Sequence, residues 1–157
     1  MNENQKLSDE LFKSVFGDPW HGASLKNILE SCPAEKIFLK PITNAHSIIE
    51  LALHINTWTE EVLSRFEGNP PAEPKEGDWP NTQSSSAEYW ESLKQKIYDN
   101  TNKLIDVVKN MTDEKLNEPV GKERNAPLGT GYTFEEMLIG LLQHNAYHAG
   151  QISLLAK

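Results

Sequence analysis

Apolar residues recur at three- and four-residue steps along most of the chain, and this spacing predicts amphipathic helices. The clearest run lies after Pro41 and extends from Ile48 to Phe66, with its apolar positions on one side of a helix. Another long helix is predicted over Leu7–Phe16, and a short one over Ser24–Ser31. Strand signals are weak, because no clear alternating run is bounded by turn residues. The pattern therefore favours an all-α protein.

Two further helices are predicted in the second half of the chain. One opens at Ser85 and ends near Met111–Thr112, and the other runs from Thr133 to Leu155. Both starting residues have a glutamate three positions later, which is the arrangement of a capping box. Four long amphipathic helices bury their apolar faces best against one another, so we predict an antiparallel-type four-helix bundle.

A proline-rich segment, residues 68–84, separates the second and third of these long helices. It holds four of the nine prolines in the chain. Its length suits a long crossover loop better than a tight turn, and loops of this length are often functional. A simple connection between two helix ends is an equally good interpretation. With no repeat and no interdomain linker, residues 1–157 are predicted to form a single domain.

Charge and cysteine content narrow the function classes. With 15 basic and 23 acidic residues the formal charge is −8, which argues against a protein that binds the phosphate backbone of nucleic acid. The chain has no apolar run of about 20 residues, so no membrane span is expected. The polar N-terminus does not resemble a signal peptide, and the single cysteine, Cys32, forms no intrachain disulfide. We therefore expect a cytoplasmic protein in which Cys32 is a bystander thiol.

The sharpest chemical feature is a pair of histidines, His144 and His148, in the last predicted helix. A step of four residues turns an α-helix by about 400°, so the two imidazoles lie roughly 40° apart on one face. The apolar stripe, which includes Leu141 and Ile152, lies on the same side, so the pair faces the bundle interior. Buried imidazoles need partners to offset their desolvation. A divalent metal ion is one such partner, and hydrogen bonds to core carbonyls or between the histidines are the alternative.

A metal site needs a third ligand, and His54 is the candidate on the second long helix. It borders the apolar stripe, about 60° from Leu51 and roughly 40° from Trp58 on a helical wheel. We expect His46 to be exposed and His21 to lie in a turn that can approach a bundle mouth. Three histidines with an open fourth position are typical of catalytic rather than structural zinc sites. Imidazole ligands suit Zn, Ni, Cu or Fe.

A resemblance to a known family is carried by residues 144–152, whose letters are HNAYHAGQI. They resemble the signature H-x-x-x-H-x-G-Q-I near the C-terminus of the DinB/YfiT-like four-helix family. His54 is placed like that family's histidine in the middle of its second helix, and residues 19–25 resemble its entry segment. The resemblance implies a DinB-like bundle with a divalent metal, often zinc or nickel. It also implies that the ligands are His54, His144 and His148.

The resemblance also bears on the reaction. Some relatives are metal-dependent thiol transferases that use bacillithiol. The sequence has no G-x-S-x-G elbow and no visible base for Cys32, so a low-molecular-weight thiol is the expected nucleophile. We therefore expect a thiol S-transferase that acts on small-molecule electrophiles. A metal-dependent hydrolase and a non-catalytic stress-response or binding protein are the alternatives.

Several residues near the three histidines have weaker signals. Tyr147 and Gln151 flank the histidines on the helical wheel and are predicted to contact a bound cofactor or substrate, or to orient a ligand. An interhelical hydrogen bond is an equally good interpretation of Gln151. Glu50 and Glu61 lie within about 40° of His54, but a solvated helix face is the favoured interpretation for both.

A homodimer is expected from the resemblance and from apolar positions that the predicted bundle leaves over on the second helix. Gly150 is predicted to permit the close approach of another helix. The leftover apolar positions are Ile49, Leu53 and Leu63. A separate prediction is that three tryptophans pack in the core, namely Trp20, Trp58 and Trp90.

Overall fold

Helices account for the secondary structure of the chain, as the sequence predicts. The computed structural model describes residues 2–157, and within that range the only β-type pairing is an isolated bridge between Pro119 and Thr133. In the same range, no helix is both long enough and apolar enough to cross a bilayer. The helices are α1 (Glu3–Val15), α2 (Leu25–Glu30), α3 (Ile48–Phe66), α4 (Ala87–Lys109), α5 (Asp113–Leu116) and α6 (Phe134–Leu155), with a short 3-10 helix at Ala34–Lys36.

Reciprocal side-chain caps determine where two of the long helices begin. Ahead of α6, the Glu136 N–H donates to Thr133 Oγ1 at 3.1 Å, and the Thr133 N–H donates to the Glu136 carboxylate at 2.8 Å. This is the capping box that the sequence predicts. Ser47 and Glu50 form the same arrangement ahead of α3. Each box satisfies backbone N–H groups that the first helical turn leaves without partners.

The start of α4 differs by one residue from the prediction. Its N-cap is Ser86, whose hydroxyl accepts the N–H of Tyr89, so the capping box expected between Ser85 and Glu88 does not form. The preceding loop explains the shift, because the Ser86 N–H and hydroxyl are both bonded to Ser84 Oγ at 3.1 Å.

The four long helices form a ring in which α1 and α3 each contact both α4 and α6. Helix α6 runs antiparallel to α3, because His54 contacts His144 whereas Arg65, farther along α3, contacts Met137 near the start of α6. This order of contacts confirms the bundle prediction. It also places the middle of α3 beside the middle of α6.

The segment between α3 and α4, residues 67–86, is the predicted crossover. Ser84 and Ser85 line a groove together with Ser47, so α4 begins next to the residue that caps α3. Farther along both helices, Asn100 Nδ2 donates to Asn56 Oδ1 at 3.1 Å. The two helices are therefore parallel, which corrects the antiparallel-type prediction for this pair; the reason is that the loop returns along the length of α3. This return brings loop residues beside the predicted histidine ligand of α3.

Two apolar clusters fill the bundle, and buried polar side chains lie between them. One cluster contains Ile55, Ile97 and Ile152, and the other contains Leu104 and Leu138, all of them inaccessible to solvent. Polar groups at this depth need partners, so their position marks where the core departs from simple packing. The buried polar side chains of this layer include His54, Asn56, Asn100, Asn145 and His148.

The apolar positions expected to remain for a dimer interface are part of the core instead. Ile49, Leu53 and Leu63 are at most 7% exposed. Helix α3 is covered by α4 and α6, and also by the segment before it, where the Ile49 N–H donates to the Ile37 carbonyl at 3.0 Å. The expectation that these three side chains are left over is therefore wrong.

Two further expectations about packing are also wrong. Trp20 lies in the turn before α2 and is fully exposed, whereas Trp90 is buried in the core as predicted. Trp58 is only partly buried and lines a cavity. A Cβ built at Gly150 would meet no atom within 4 Å. Gly150 is therefore not required for close approach to another helix of the chain.

Candidate metal centre

Three histidine side chains meet between α3 and α6. His54 Nε2 lies 2.9 Å from His144 Nε2. The ring centroid of His148 lies 4.7 Å from that of His54 and 4.6 Å from that of His144. One ring nitrogen from each residue lies within 4.8 Å of the other two, an arrangement that can hold a metal ion. The structure thus brings together all three histidines that the sequence predicts as ligands.

A backbone carbonyl of the crossover loop orients His54. The Nδ1–H of His54 donates to the Asp78 carbonyl oxygen at 2.6 Å. Because a carbonyl oxygen only accepts, this bond places the proton on Nδ1 and leaves a lone pair on Nε2. The Asp78 side chain is itself held, since Trp58 Nε1 donates to Asp78 Oδ1 at 2.7 Å.

Side-chain amides of α6 orient the other two histidines in the same way. His144 Nδ1 lies 3.2 Å from Asn145 Oδ1, and His148 Nδ1 lies 2.6 Å from Gln151 Oε1. In both cases the amide oxygen accepts from Nδ1–H and leaves the Nε2 lone pair free. Metal-binding histidines commonly have such an oxygen on the second ring nitrogen.

The resulting donor set fits a divalent cation. With Nδ1 protonated on each ring, the lone pairs of His54 Nε2 and His144 Nε2 face each other across 2.9 Å. Two lone pairs at that distance repel each other unless a cation or a proton lies between them. Three imidazole nitrogens match the three protein ligands of a catalytic zinc-type site, in which a fourth position stays open.

Burial keeps two of these imidazoles in the neutral form that binds metal. It lowers the pKa of His144 to about 4 and also lowers the pKa of His54 from its ordinary value. Hydrogen bonds from Nδ1 oppose the shift in both residues, but desolvation is the largest cause. Near neutral pH both side chains are therefore uncharged, and protons compete little for their nitrogens.

Trp79, in the crossover loop, covers the outer face of His54. Its ring stacks on the His54 ring at a centroid distance of 3.8 Å and on the His46 ring at 3.5 Å. Sequence reasoning missed Trp79 and Asp78, because both lie in a loop where no periodicity assigns a side chain to a face. A tryptophan in an otherwise polar, proline-rich loop was the one available signal.

The remaining histidines lie outside the cluster. His46 is partly exposed, and it contacts the site only through the Trp79 ring. His21 is exposed in the turn before α2. His46 is partly rather than fully exposed, because the Trp79 ring covers one of its faces, and His21 does not join the three histidines.

The two residues predicted to flank the histidines differ in position. Gln151 bonds to His148 Nδ1, so its amide orients a predicted ligand. Tyr147 is 65% exposed, and its ring lies 5.0 Å from that of His148. Its position leaves the hydroxyl group accessible to solvent beside the centre.

The two glutamates flagged near His54 do not orient it. Glu50 caps α3 and pairs with Lys40 at 2.7 Å near the surface, which agrees with a solvated face. Glu61 is only 8% exposed, and its carboxylate accepts from Arg65 Nε at 2.7 Å. The solvated-face interpretation is therefore wrong for Glu61, because the buried arginine one turn later provides its partner.

A cavity of about 650 Å³ adjoins the histidines in the groove between α3 and α6. His54 and His144 line one end, and the lining is mostly apolar. The connection before α6 covers the cavity and depends on Gly131, which has φ 83°. A Cβ at Gly131 would lie 2.8 Å from the Arg124 backbone, so only glycine fits there.

Cys32 lies away from this centre. It lines a different cavity at the other end of the bundle, and its thiol donates to the Ile28 carbonyl at 3.3 Å. Burial raises the pKa of Cys32 to about 11, so the thiol is protonated near neutral pH. This supports the interpretation of Cys32 as a bystander.

The Gln151 contact leads to a first prediction. Gln151→Ala removes the acceptor from His148 Nδ1, and we expect metal affinity to fall roughly 10- to 100-fold, as for other residues that orient ligands. Competition with a chromogenic chelator measures this affinity. The matched control is Gln143→Ala on the same helix, because Gln143 is exposed and lines the cavity but is bonded to none of the three histidines; it should leave metal affinity unchanged. Equal affinities for the two variants would contradict the proposed orienting role.

Comparison with known proteins identifies one family. A family model described as the DinB superfamily matches residues 20–152, a range that includes all three clustered histidines. No curated protein and no solved structure matches the chain.

Proposed function

Since the chain belongs to the DinB superfamily, we propose that it is a divalent-metal-dependent enzyme, and specifically a thiol S-transferase. His54, His144 and His148 are the proposed ligands, and zinc or nickel is the proposed metal. The observation that supports this proposal most is that one ring nitrogen of each of the three histidines lies within 4.8 Å of the other two, while an oxygen accepts from Nδ1 of each ring. A core hydrogen-bond network has no need for that convergence.

The protein's own residues have three tasks in this function. Asp78, Asn145 and Gln151 hold the imidazoles in one tautomer and one orientation. The Trp79 ring shields His54 on the side of the crossover loop, and the apolar cavity adjoins His54 on the side of the groove between α3 and α6. A bound cation would supply Lewis acidity at an open position and lower the pKa of a thiol placed there.

The proposal assigns the nucleophile to a small molecule because the chain offers none at the site. Cys32 is remote and protonated, and the residues of the range 2–157 that line the cavity include no serine, threonine or lysine. A low-molecular-weight thiol entering beside the histidines would lose its proton to solvent. Its sulfur would then form a bond to an electrophilic carbon in the cavity, and that carbon would release its leaving group with the bonding electrons.

Three finer points belong to the same proposal. Tyr147 and Gln151 are proposed to contact the thiol co-substrate, since both lie beside His148. The homodimer stays a prediction, and its interface must use residues other than those buried on α3. Residues 1–157 are proposed to act as one domain.

A conjugation assay tests the proposed reaction. Zinc- or nickel-loaded protein is mixed with a thiol (cysteine, glutathione or bacillithiol) and 1-chloro-2,4-dinitrobenzene, and the thioether product is followed by its absorbance. We expect at least about a tenfold increase over the uncatalysed rate with one of these thiols. The increase should disappear after chelation of the metal and return when the metal is restored.

The alternatives predict different results in the same preparation. A hydrolase would cleave p-nitrophenyl acetate without thiol and would leave the rate of thioether formation at its uncatalysed value. A non-catalytic protein would retain the metal and accelerate neither reaction. Either outcome would overturn the transferase proposal.

A further inference from the structure

Arg65 is a buried cation whose hydrogen-bonding capacity is only partly used. The residue is 2% exposed. Its Nε donates to Glu61, and its Nη2 donates to the Ala72 carbonyl at 3.0 Å. The contact of its Nη1 is with Met137 Sδ at 3.9 Å. A thioether sulfur is a weak acceptor, and within residues 2–157 no oxygen accepts from Nη1.

The guanidinium group lies in the wall of the cavity that begins at the histidines. The bond to Glu61 shows that the Arg65 side chain turns back toward the start of α3, as helical side chains do. Its head therefore lies near the level of Glu61, seven residues and roughly 10 Å along the helix from His54. Trp58 and Val62 line the intervening wall, and Leu141 lines the facing wall on α6.

The charges around the cavity indicate which kind of acceptor Nη1 can take. Glu61 already balances the charge of Arg65. The other charged residues in the lining are Asp78 and Glu136, both acidic and both exposed. A ligand carboxylate would lose its hydration in this cavity without gaining a cationic partner, because Glu61 already pairs with Arg65. A ligand ammonium group would be repelled by Arg65, which offers only hydrogen-bond donors. A neutral carbonyl or amide oxygen satisfies Nη1 without either cost.

We propose that this cavity binds an uncharged, mostly apolar organic molecule with an oxygen acceptor at one end. The acceptor binds Arg65 Nη1, and the apolar body extends over about 10 Å toward the three histidines. This inference rests on the proposed function, because it names the chemical class of the electrophile. Medium-chain carbonyl and amide compounds belong to this class when their far end, at the histidines, bears the electrophilic carbon and its leaving group; the unreactive amides among them report binding alone.

Binding of three eight-carbon probes tests the proposal without any reaction. Octanamide, octanoate and octylamine are titrated by calorimetry into chelator-treated wild-type protein, so that the result does not depend on the metal. We expect octanamide to bind at least about tenfold more tightly than either charged probe, because burying an unpaired charge is costly.

Two glycine variants on α6 locate the binding site. Gly140 lines the cavity, whereas Gly150 lies outside its lining, and a Cβ at either position meets no atom within 4 Å. Gly140→Leu should fold normally and raise the dissociation constant for octanamide at least about tenfold by filling the cavity mouth. Gly150→Leu makes the same chemical change on the same helix and should shift that constant less than about twofold. Replacing Arg65 itself would confuse loss of binding with loss of folding.

Several results would overturn the proposal. Tighter binding of octanoate would show that the cavity recognises an anion, and equal binding of octylamine would show that Arg65 contributes no donor. An unchanged constant in Gly140→Leu would place the probe elsewhere, and no binding of octanamide would exclude this class. Because these titrations use metal-free protein, failure here leaves the conjugation result standing, and failure of conjugation leaves the binding result standing.

Discussion

Replacement of His148 by alanine is expected to abolish metal binding. Two imidazoles without a third bind a divalent cation weakly, so a stoichiometry of about one metal per chain in the wild type should fall below about 0.1 in His148→Ala. His148 is 6% exposed, so the variant also leaves a small polar cavity. Elemental analysis of untagged protein, after incubation with zinc or nickel and dialysis, gives the measurement.

Matched variants separate loss of a ligand from loss of the fold. His21→Ala removes an exposed histidine outside the cluster and should retain the full metal content. Circular dichroism should show that His148→Ala keeps its helices. Full metal content in a folded His148→Ala protein would exclude His148 as a ligand. Absence of metal from the wild type would leave the three histidines as hydrogen-bonding core residues.

The second large effect is expected at the buried ion pair of α3. Arg65→Met leaves the Glu61 carboxylate buried without its partner, and breaking such a pair costs about 3–5 kcal/mol of unfolding free energy. Glu61 Oε1 also accepts the Ala72 N–H at 2.9 Å, and Arg65 bonds to the Ala72 carbonyl, so the start of the crossover loop loses an anchor too. In a chain of this size the melting temperature should fall by roughly 10 °C.

Denaturant titration of a set of variants tests this interpretation. The surface pair of Lys13 and Asp9 has the same i,i+4 spacing at 2.6 Å, but both side chains are nearly half exposed. Lys13→Met should therefore leave the free energy of unfolding nearly unchanged, because solvent screens an exposed pair. The double variant Glu61→Leu/Arg65→Met should recover part of the loss, because it leaves no unpaired charge. A cost below about 1 kcal/mol for Arg65→Met would show that water, rather than Arg65, solvates Glu61.

Elements that depend on local pattern agree closely between sequence and structure. The apolar stripe from Ile48 to Phe66 coincides with α3, because a 3.6-residue period and its capping signals are properties of neighbouring residues. The start of α6 after Thr133 was predictable for the same reason. The inward direction of His144 and His148 also followed from the period, since they share a face with the apolar stripe.

Elements that depend on which parts of the chain lie side by side were not predictable in this way. Ile49 appears surplus on a helical wheel, but a segment before α3 covers it. Glu61 appears solvated until Arg65 turns back onto it in the core. Trp79 and the Asp78 carbonyl reach His54 only because the crossover loop returns along α3.

The sequence by itself determined the four long helices, their crossover connection and the three histidines that can share a metal ion. Periodicity predicts the helices and assigns the histidines to helix faces without reference to the rest of the chain. Only the tertiary structure decided the tautomers of the histidines, the Trp79 ring that stacks on His54 and the cavity that extends from the histidines to Arg65. These features arise from contacts between residues distant in sequence, and their free energies depend on burial and on partners that no local pattern records.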